Sequence, residues 1–106
     1  MFARIVSMRL KPNMSAELSQ TIEKKILPML RKQKGFRDEI TFIASGGMEA
    51  VGISLWDSRE QADAYNSGSY PEVLRELNNV VEGTPRVQTY DVANSTAHKI
   101  VARPAA

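Results

Sequence analysis

The chain has 106 residues, of which 42% are hydrophobic and 25% charged, with a formal net charge of +2; this is the composition of one soluble globular domain. It contains no cysteine, which excludes disulfide bonds, thiolate nucleophiles and Cys-ligated zinc, and its interspersed charges argue against nucleic-acid binding. With no signal-like N-terminus and no apolar run near the roughly 20 residues of a membrane span, we expect a cytoplasmic protein without membrane contact.

The first predicted elements are a strand over residues 2–10 and a long helix. The strand has two apolar sides, one with Phe2, Val6, Met8 and Leu10 and the other with Ala3, Ile5 and Ser7. The helix is indicated by a stripe of apolar residues at helical spacing, Leu18, Ile22, Ile26, Met29 and Leu30. Asn13 or Ser15 is the expected N-cap and Gly35 the C-terminal cap. Pro28 is expected to bend the last two turns, because it removes a backbone donor.

Two further strands and a tight turn come next. Residues 36–44 alternate, with Phe36, Ile40 and Phe42 predicted on one face. The Ser45-Gly46-Gly47 segment predicts a hairpin turn, because glycine reaches positive φ at little cost. The following strand, residues 50–56, also has two faces, one with Val51, Ile53 and Leu55 and the other with Ala50, Gly52, Ser54 and Trp56. Strands two and three are therefore expected to be antiparallel neighbours.

A capped helix begins directly after the strand that ends in the only tryptophan. Ser58 and Gln61 have the spacing of a capping box. The Ser67-Gly68-Ser69 segment should split this helical region, and Pro71 should open a second helix that carries Val80 and Val81 on its stripe. The Gly83-Thr84-Pro85 segment is expected to end that helix before a fourth strand over residues 86–93. Periodicity fails afterwards, so we assign a domain to residues 1–93 and a tail to residues 94–106, either disordered or adding an edge strand over 99–102 to a neighbouring subunit.

This order of elements predicts an α+β, ferredoxin-like β-α-β-β-α-β fold, a four-stranded antiparallel sheet with its helices on one face. The first strand is apolar on both sides, whereas an antiparallel sheet with one solvated face alternates cleanly. We therefore expect a homodimer that packs through the sheet faces. The small residues Gly52 and Ser54 would leave a ligand pocket if their face meets the helices. If that face meets a partner subunit, they would let two sheets approach closely.

Several of these motifs together resemble the antibiotic biosynthesis monooxygenase family of dimeric α/β barrels. They are the Leu55-Trp56 strand end, the helix start from Asp57 to Ala62, Tyr65, the Ser67-Gly68-Ser69 break and the passage from Pro28 to Phe36. The similarity covers residues 2 to about 93. It implies a cofactor-independent oxidation of a small aromatic or quinol-like substrate. Haem-degrading relatives carry a histidine and a tryptophan where this chain has Arg75 and Tyr65, and its first strand has no asparagine, so no haem, other cofactor or metal is expected.

The resemblance implies a site built largely from aromatic residues. Its implied catalytic residues are Trp56, Tyr65 and Arg75, and its implied substrate-binding residues are Gly52, Ser54 and Tyr70. Such a set would stack on a flat ring and stabilise a developing oxyanion. The structural alternative is that the aromatic residues only pack and that Arg75 is solvated. The only histidine, His98, lies in the tail and is expected to be a surface residue.

Two other functions stay open at this stage. A non-catalytic protein that binds a small ligand or another protein would keep the fold and lack the reaction. A third possibility is a stress-related accessory protein whose tail carries the activity. Oxygen consumption separates the first alternative from the monooxygenase.

Overall fold

The computed structural model describes residues 1–100. The elements follow in the order β1 (Phe2–Leu10), α1 (Ser15–Thr21), a π-helical turn (Ile22–Ile26), α2 (Leu27–Arg31), β2 (Phe36–Ile43), β3 (Glu49–Trp56), α3 (Arg59–Gly68), α4 (Tyr70–Leu77) and β4 (Val81–Asp91). The strands form one antiparallel sheet in the order β2-β3-β1-β4. The helices pack on one face of this sheet, which we call the inner face, and bury the core there. The predicted ferredoxin-like α+β fold is confirmed.

The disturbance predicted around Pro28 is a change of helix type. The helical segment from residue 15 to residue 31 passes through a π-helical turn at Ile22–Ile26 before the proline. In a regular α-helix the ring of Pro28 would clash with the carbonyl of Lys24, and Lys24 lies within this turn, where the wider winding relieves that contact. The predicted N-cap is wrong, because Met14 precedes α1 and no side chain caps it.

A β-bulge in β2 overturns one predicted face. Phe36 pairs with Trp56, but the next pair is Asp38 with Leu55, so Arg37 is an extra residue. A bulge of one residue moves the side chains beyond it to the opposite face. Phe36 therefore lies on the inner face, where its ring contacts Trp56 at 5.6 Å between centroids, and it does not share a face with Ile40 and Phe42.

The fourth strand begins earlier than its sequence pattern indicated. Helix α4 ends at Leu77, and Val81 already pairs with Leu10. The Gly83-Thr84-Pro85 segment lies inside β4, where the register against β1 shifts and Gly83 has φ +74°. The expectation that these residues end a helix is wrong, because glycine and proline here form a bulge within a strand.

The predicted C-terminal cap of the first helix is wrong, because α2 ends at Arg31 with Lys32 as its C-cap and Gly35 lies beyond it. Three other local predictions are confirmed. The β2–β3 turn contains Gly47 at φ +72°, and its N–H donates to the Ala44 carbonyl at 2.8 Å. The Ser58 hydroxyl accepts from the Gln61 N–H at 3.3 Å at the start of α3. The second helical region is split at Ser69, which separates α3 from α4.

The opposite surface of the sheet, the outer face, carries apolar side chains that the chain itself leaves half exposed. Ile40, Phe42 and Tyr90 are 49%, 54% and 50% exposed. The segment after β4 forms no strand over residues 94–100, and His98 Nε2 contacts Asp38 Oδ2 on β2. The edge strand suggested for residues 99–102 extends beyond the described residues. Within residues 1–100 no helix combines the length and hydropathy needed to cross a bilayer.

Candidate functional site

A cavity of about 50 Å³ lies between the inner face of the sheet and the helices. Its polar lining comes from Arg4 on β1, Glu39 on β2, Ser54 on β3 and the two tyrosines Tyr65 and Tyr70. Its apolar walls include Val6, Met8, Ile22, Ile26, Leu30, Val73 and Leu77. Gly52 and Ser54 face this cavity, so their small size makes room under the helices and does not serve contact between sheets.

Arg4 is one of the two charged cavity residues, with Glu39, that sequence reasoning missed. Its side chain points to the inner face among apolar neighbours, and the residue is only 3% exposed. The Nη2 atom donates to Asn66 Oδ1 at 2.9 Å. The guanidinium carbon lies 4.4 Å from the ring centre of Tyr70 and 5.0 Å from that of Tyr65, which is cation–π geometry. The sequence did contain an indication of this position, because Arg4 lies two residues after the buried Phe2 in the same strand and therefore on the same face.

The two tyrosines are buried beside this guanidinium. Burial raises the pKa of Tyr65 to about 12, and the positive charge of Arg4 opposes part of that rise. Burial also raises the pKa of Tyr70. The Tyr70 hydroxyl is buried and has no hydrogen-bond partner among the described residues. Both phenols are therefore neutral at physiological pH, and each can donate a hydrogen bond.

Glu39 faces Arg4 along one row of the sheet. Arg4 pairs with Ser54, and Ser54 pairs with Glu39, so the three residues cross β1, β3 and β2 in register. The Thr41 hydroxyl donates to Glu39 Oε2 at 2.7 Å. Burial raises the pKa of Glu39, and this hydrogen bond partly offsets the rise. A Cβ atom at Gly52 would lie 3.4 Å from Glu39 Oε2, so the missing side chain leaves space beside this carboxyl group.

Four of the six predicted site residues meet at the cavity, and two do not line it. Gly52, Ser54, Tyr65 and Tyr70 are part of the lining. Trp56 is fully buried behind them, where its Nε1–H donates to Ser54 Oγ at 2.9 Å and its ring stacks on Tyr65 at 4.9 Å. The Arg75 side chain is 72% exposed and lies 3.8 Å from Glu72.

The described part of the chain offers no set of metal ligands. Within residues 1–100 no three His, Asp or Glu side chains come together in a way that could hold a metal ion. Among the described residues, His98 contacts one carboxylate, that of Asp38, at the outer face. The side chains that line the cavity supply a guanidinium, two phenols, a hydroxyl and a carboxyl group.

No protein-family model and no curated protein matches the sequence. Solved structures do match it. A monooxygenase from the gene ActVA-Orf6 of Streptomyces coelicolor, in complex with the ligand nanaomycin D, is 18% identical over 89% of this chain and 88% of its own, with a TM-score of 0.74. A structure described as an antibiotic biosynthesis monooxygenase is 14% identical over 89% of this chain and 100% of its own, with a TM-score of 0.68.

The chain has the fold of the antibiotic biosynthesis monooxygenases. A protein of unknown function from Nitrosomonas europaea shares it as well, with 16% identity over 95% of this chain and 94% of its own and a TM-score of 0.74. The resemblance stated from the sequence motifs is thus confirmed for the fold. At these identities the likeness to antibiotic biosynthesis monooxygenases does not carry over a reaction or a substrate.

Proposed function

We propose that this protein belongs to the antibiotic biosynthesis monooxygenases and oxidises a small aromatic or quinol-like substrate without a cofactor. The observation that carries the proposal is the inner cavity, where two phenols, a guanidinium and a carboxyl group converge in a largely apolar site. Such a site suits a flat ring with one or two oxygen substituents. The monooxygenase bound to nanaomycin D has the same fold, which supports a ligand of this class.

The reaction needs little from the protein beyond binding and proton transfer. A phenol and dioxygen give a quinone and water: one oxygen atom becomes the new carbonyl, and the other leaves as water with the two hydrogens released by the substrate. The substrate supplies all the electrons. The protein must orient the ring, accept the phenolic proton and stabilise the oxyanion.

Five of the six predicted site residues take a role that fits their position. Tyr65 and Tyr70 contact the ring, while Gly52 and Ser54 provide the space beside it. Trp56 supports the site by stacking behind Tyr65. A catalytic role for Arg75 stays a prediction, because its exposed side chain is not part of the cavity lining.

The size of the cavity sets a condition on ligand entry. Its 50 Å³ is about a third of the roughly 150 Å³ that holds a benzene ring in an engineered cavity. Full burial of a ring therefore requires lining side chains to move. Ile22 and Ile26 are the first and last residues of the π-helical turn, and such turns are frequent at functional sites. We propose that Ile22 and Ile26 move aside when the ligand binds.

Oxygen uptake with a panel of phenols and hydroquinones tests the proposal. We expect consumption above buffer with at least one compound, and one atom of ¹⁸O from labelled dioxygen in the quinone product. Gly52→Val should lower the rate, because its side chain fills the space beside Glu39. Gly46→Val is the matched control, since a Cβ at Gly46 meets nothing within 4 Å.

The second candidate function is ligand binding without oxidation, and the exposed position of Arg75 outside the cavity lining favours it. Tight binding of an aromatic compound with no oxygen uptake from any member of the panel would reject the monooxygenase and support the binding protein. Circular dichroism of both glycine variants establishes that each is folded before rates are compared.

We also propose a homodimer through the outer face, with residues 1–93 as its domain and residues 94–106 as a tail, in the cytoplasm. The support is the row of half-exposed apolar side chains on that face, which an antiparallel sheet facing water would not carry. Sedimentation should give about twice the 11.8 kDa chain mass at micromolar concentration. Phe42→Lys should dissociate the dimer, whereas Glu60→Lys on the exposed side of α3 should not. A wild-type particle of one chain mass would reject the dimer.

A further inference from the structure

Arg4 holds a positive charge in the interior with no anionic partner among residues 1–100. The residue is 3% exposed, and its hydrogen-bond partner is the neutral amide of Asn66. Within the described part of the chain no carboxylate oxygen lies within 4 Å of this guanidinium. A buried charge is costly unless it is paired. The ring faces of Tyr65 and Tyr70 reduce that cost by cation–π contact but supply no counter-charge.

A second observation points to the same place. Tyr70 is 8% exposed and its hydroxyl has no hydrogen-bond partner among residues 1–100. Its ring lies 4.4 Å from the guanidinium carbon of Arg4, and both residues line the cavity. Two buried groups that can donate hydrogen bonds, one of them charged, thus stand at one wall of the cavity. The Tyr70 hydroxyl lacks a hydrogen-bond partner and the guanidinium lacks a counter-charge, and an anionic oxygen supplies both.

We propose that Arg4 and Tyr70 form a subsite for a negatively charged oxygen of the ligand, from a carboxylate or a phenolate. The inference deepens the proposed function, because it names the charge of the ligand that the same cavity takes. Asn66 positions the subsite by holding one Nη of the guanidinium. A cavity of about 50 Å³ admits a group of a few heavy atoms without movement of its walls, so the charged group of the ligand is the part that fits first.

Glu39 lies at the opposite end of the row formed by Arg4, Ser54 and Glu39 across the sheet. When it is ionised, its negative charge repels a bound anion. Only Ser54 separates the two residues in the register. Burial raises the pKa of Glu39, and a bound anion raises it further, since two negative charges in one small cavity repel each other. Binding of an anion therefore favours protonation of Glu39. The neutral variant Glu39→Gln should bind anions more tightly than the wild type.

Binding of matched compound pairs tests the subsite independently of catalysis. The pairs are acetate with acetamide, benzoate with benzamide, and 4-nitrophenolate with 4-nitroanisole, titrated into the full-length protein under anaerobic conditions. The first two pairs test a carboxylate and the third a phenolate. We expect the anion of at least one pair to bind at least tenfold more tightly than its neutral partner. The Arg4 side-chain N–H signals should shift in the NMR spectrum only with the anion.

Variants separate the subsite from general effects on the fold. Arg4→Gln should abolish the preference for the anion, Arg4→Lys should restore part of it, and Tyr70→Phe should reduce it severalfold. Glu39→Gln should increase it. Arg31→Gln is the control, because it removes an exposed arginine of α2 and should change nothing.

Each outcome decides the inference. If Arg4→Gln does not fold, the nearly isosteric Tyr70→Phe and Glu39→Gln carry the test, since their predicted effects have opposite signs. Equal binding of the two members of every pair, or no binding of any anion, would overturn the subsite. Anion binding without oxygen uptake would keep the subsite and reject the monooxygenase, so the two failures are distinguishable.

Discussion

Gly35 provides a sharp test of how α3 packs against the connection between α2 and β2. Its φ is +83°, and its carbonyl accepts from the Asp57 N–H at 2.8 Å. A Cβ atom at Gly35 would lie 1.9 Å from Gln61 Oε1, 2.3 Å from its Cδ and 2.9 Å from its Cβ. Gly35→Ala thus combines a left-handed backbone strain of roughly 1–2 kcal/mol with an overpacking cost of about 1–3 kcal/mol. We expect a total loss of roughly 2–5 kcal/mol in the free energy of unfolding.

A double-mutant cycle in urea separates the two costs. Gln61→Ala removes the two closest atoms and leaves the backbone N–H that Ser58 caps. By itself it should cost little, because Gln61 Oε1 is buried without a hydrogen-bond partner among the described residues. Gly35→Ala should then cost at least about 1 kcal/mol less in the Gln61→Ala background. Gly46→Ala is the control with a near-zero effect. An identical cost of Gly35→Ala in both backgrounds would refute the predicted contact with Gln61.

Three further changes test other parts of the fold and site. Burial raises the pKa of Tyr65 from 10.0 to about 12, so this tyrosine loses its proton at lower pH in the unfolded chain than in the folded one. The free energy of unfolding should therefore fall as pH rises between those values. Urea titrations from pH 8 to 11 should show a shallower fall in Tyr65→Phe than in the wild type. Ile26→Ala should destabilise the protein by about 2–5 kcal/mol and strengthen binding of benzoate by enlarging the cavity, whereas weaker binding would show that this wall does not limit entry. Ser58→Ala should cost about 1 kcal/mol through loss of the α3 cap as measured in urea, against no change for the exposed Ser67→Ala.

The order of elements could be predicted from the sequence because the apolar residues in each strand and helix have the spacing typical of that type of element. The junction at Trp56 and the cap at Ser58 fixed where β3 ends and α3 begins. Those signals act over a few residues, so they survive in a single sequence. The antiparallel pairing of β2 with β3 followed equally from the short glycine turn.

The errors arose where a single residue changes the register. Arg37 is accommodated as a bulge, and a period-2 pattern cannot show on which side of it Phe36 lies. Gly83 and Pro85 are residue types that often end a helix. In β4 they form a bulge, which only the pairing with β1 reveals. Glycine and proline in a segment predict an irregular backbone conformation there. They do not show whether a strand ends at that segment or continues beyond it.

The candidate site was predicted for its aromatic and small residues and missed for its charged ones. Tyr65 and Tyr70 stood out by type, and Gly52 and Ser54 by size. Arg4 was passed over because a charged residue in a strand is usually solvated. Its partner Asn66 lies 62 residues further along the chain, and Glu39 joins through pairing of β2 with β3, so no short-range pattern connects the three residues.

The contact between His98 and Asp38 links the tail to the proposed association of two chains. The polypeptide leaves β4 at one border of the sheet, and by His98 it has reached β2 at the opposite border, on the surface that a second copy would occupy. A second copy of the chain must therefore either include the segment from Val92 to His98, which we call the strap, in the contact or displace it. In both cases the association constant and the docking of the strap are thermodynamically coupled, so truncation after residue 93 should alter self-association even though the sheet itself is unchanged.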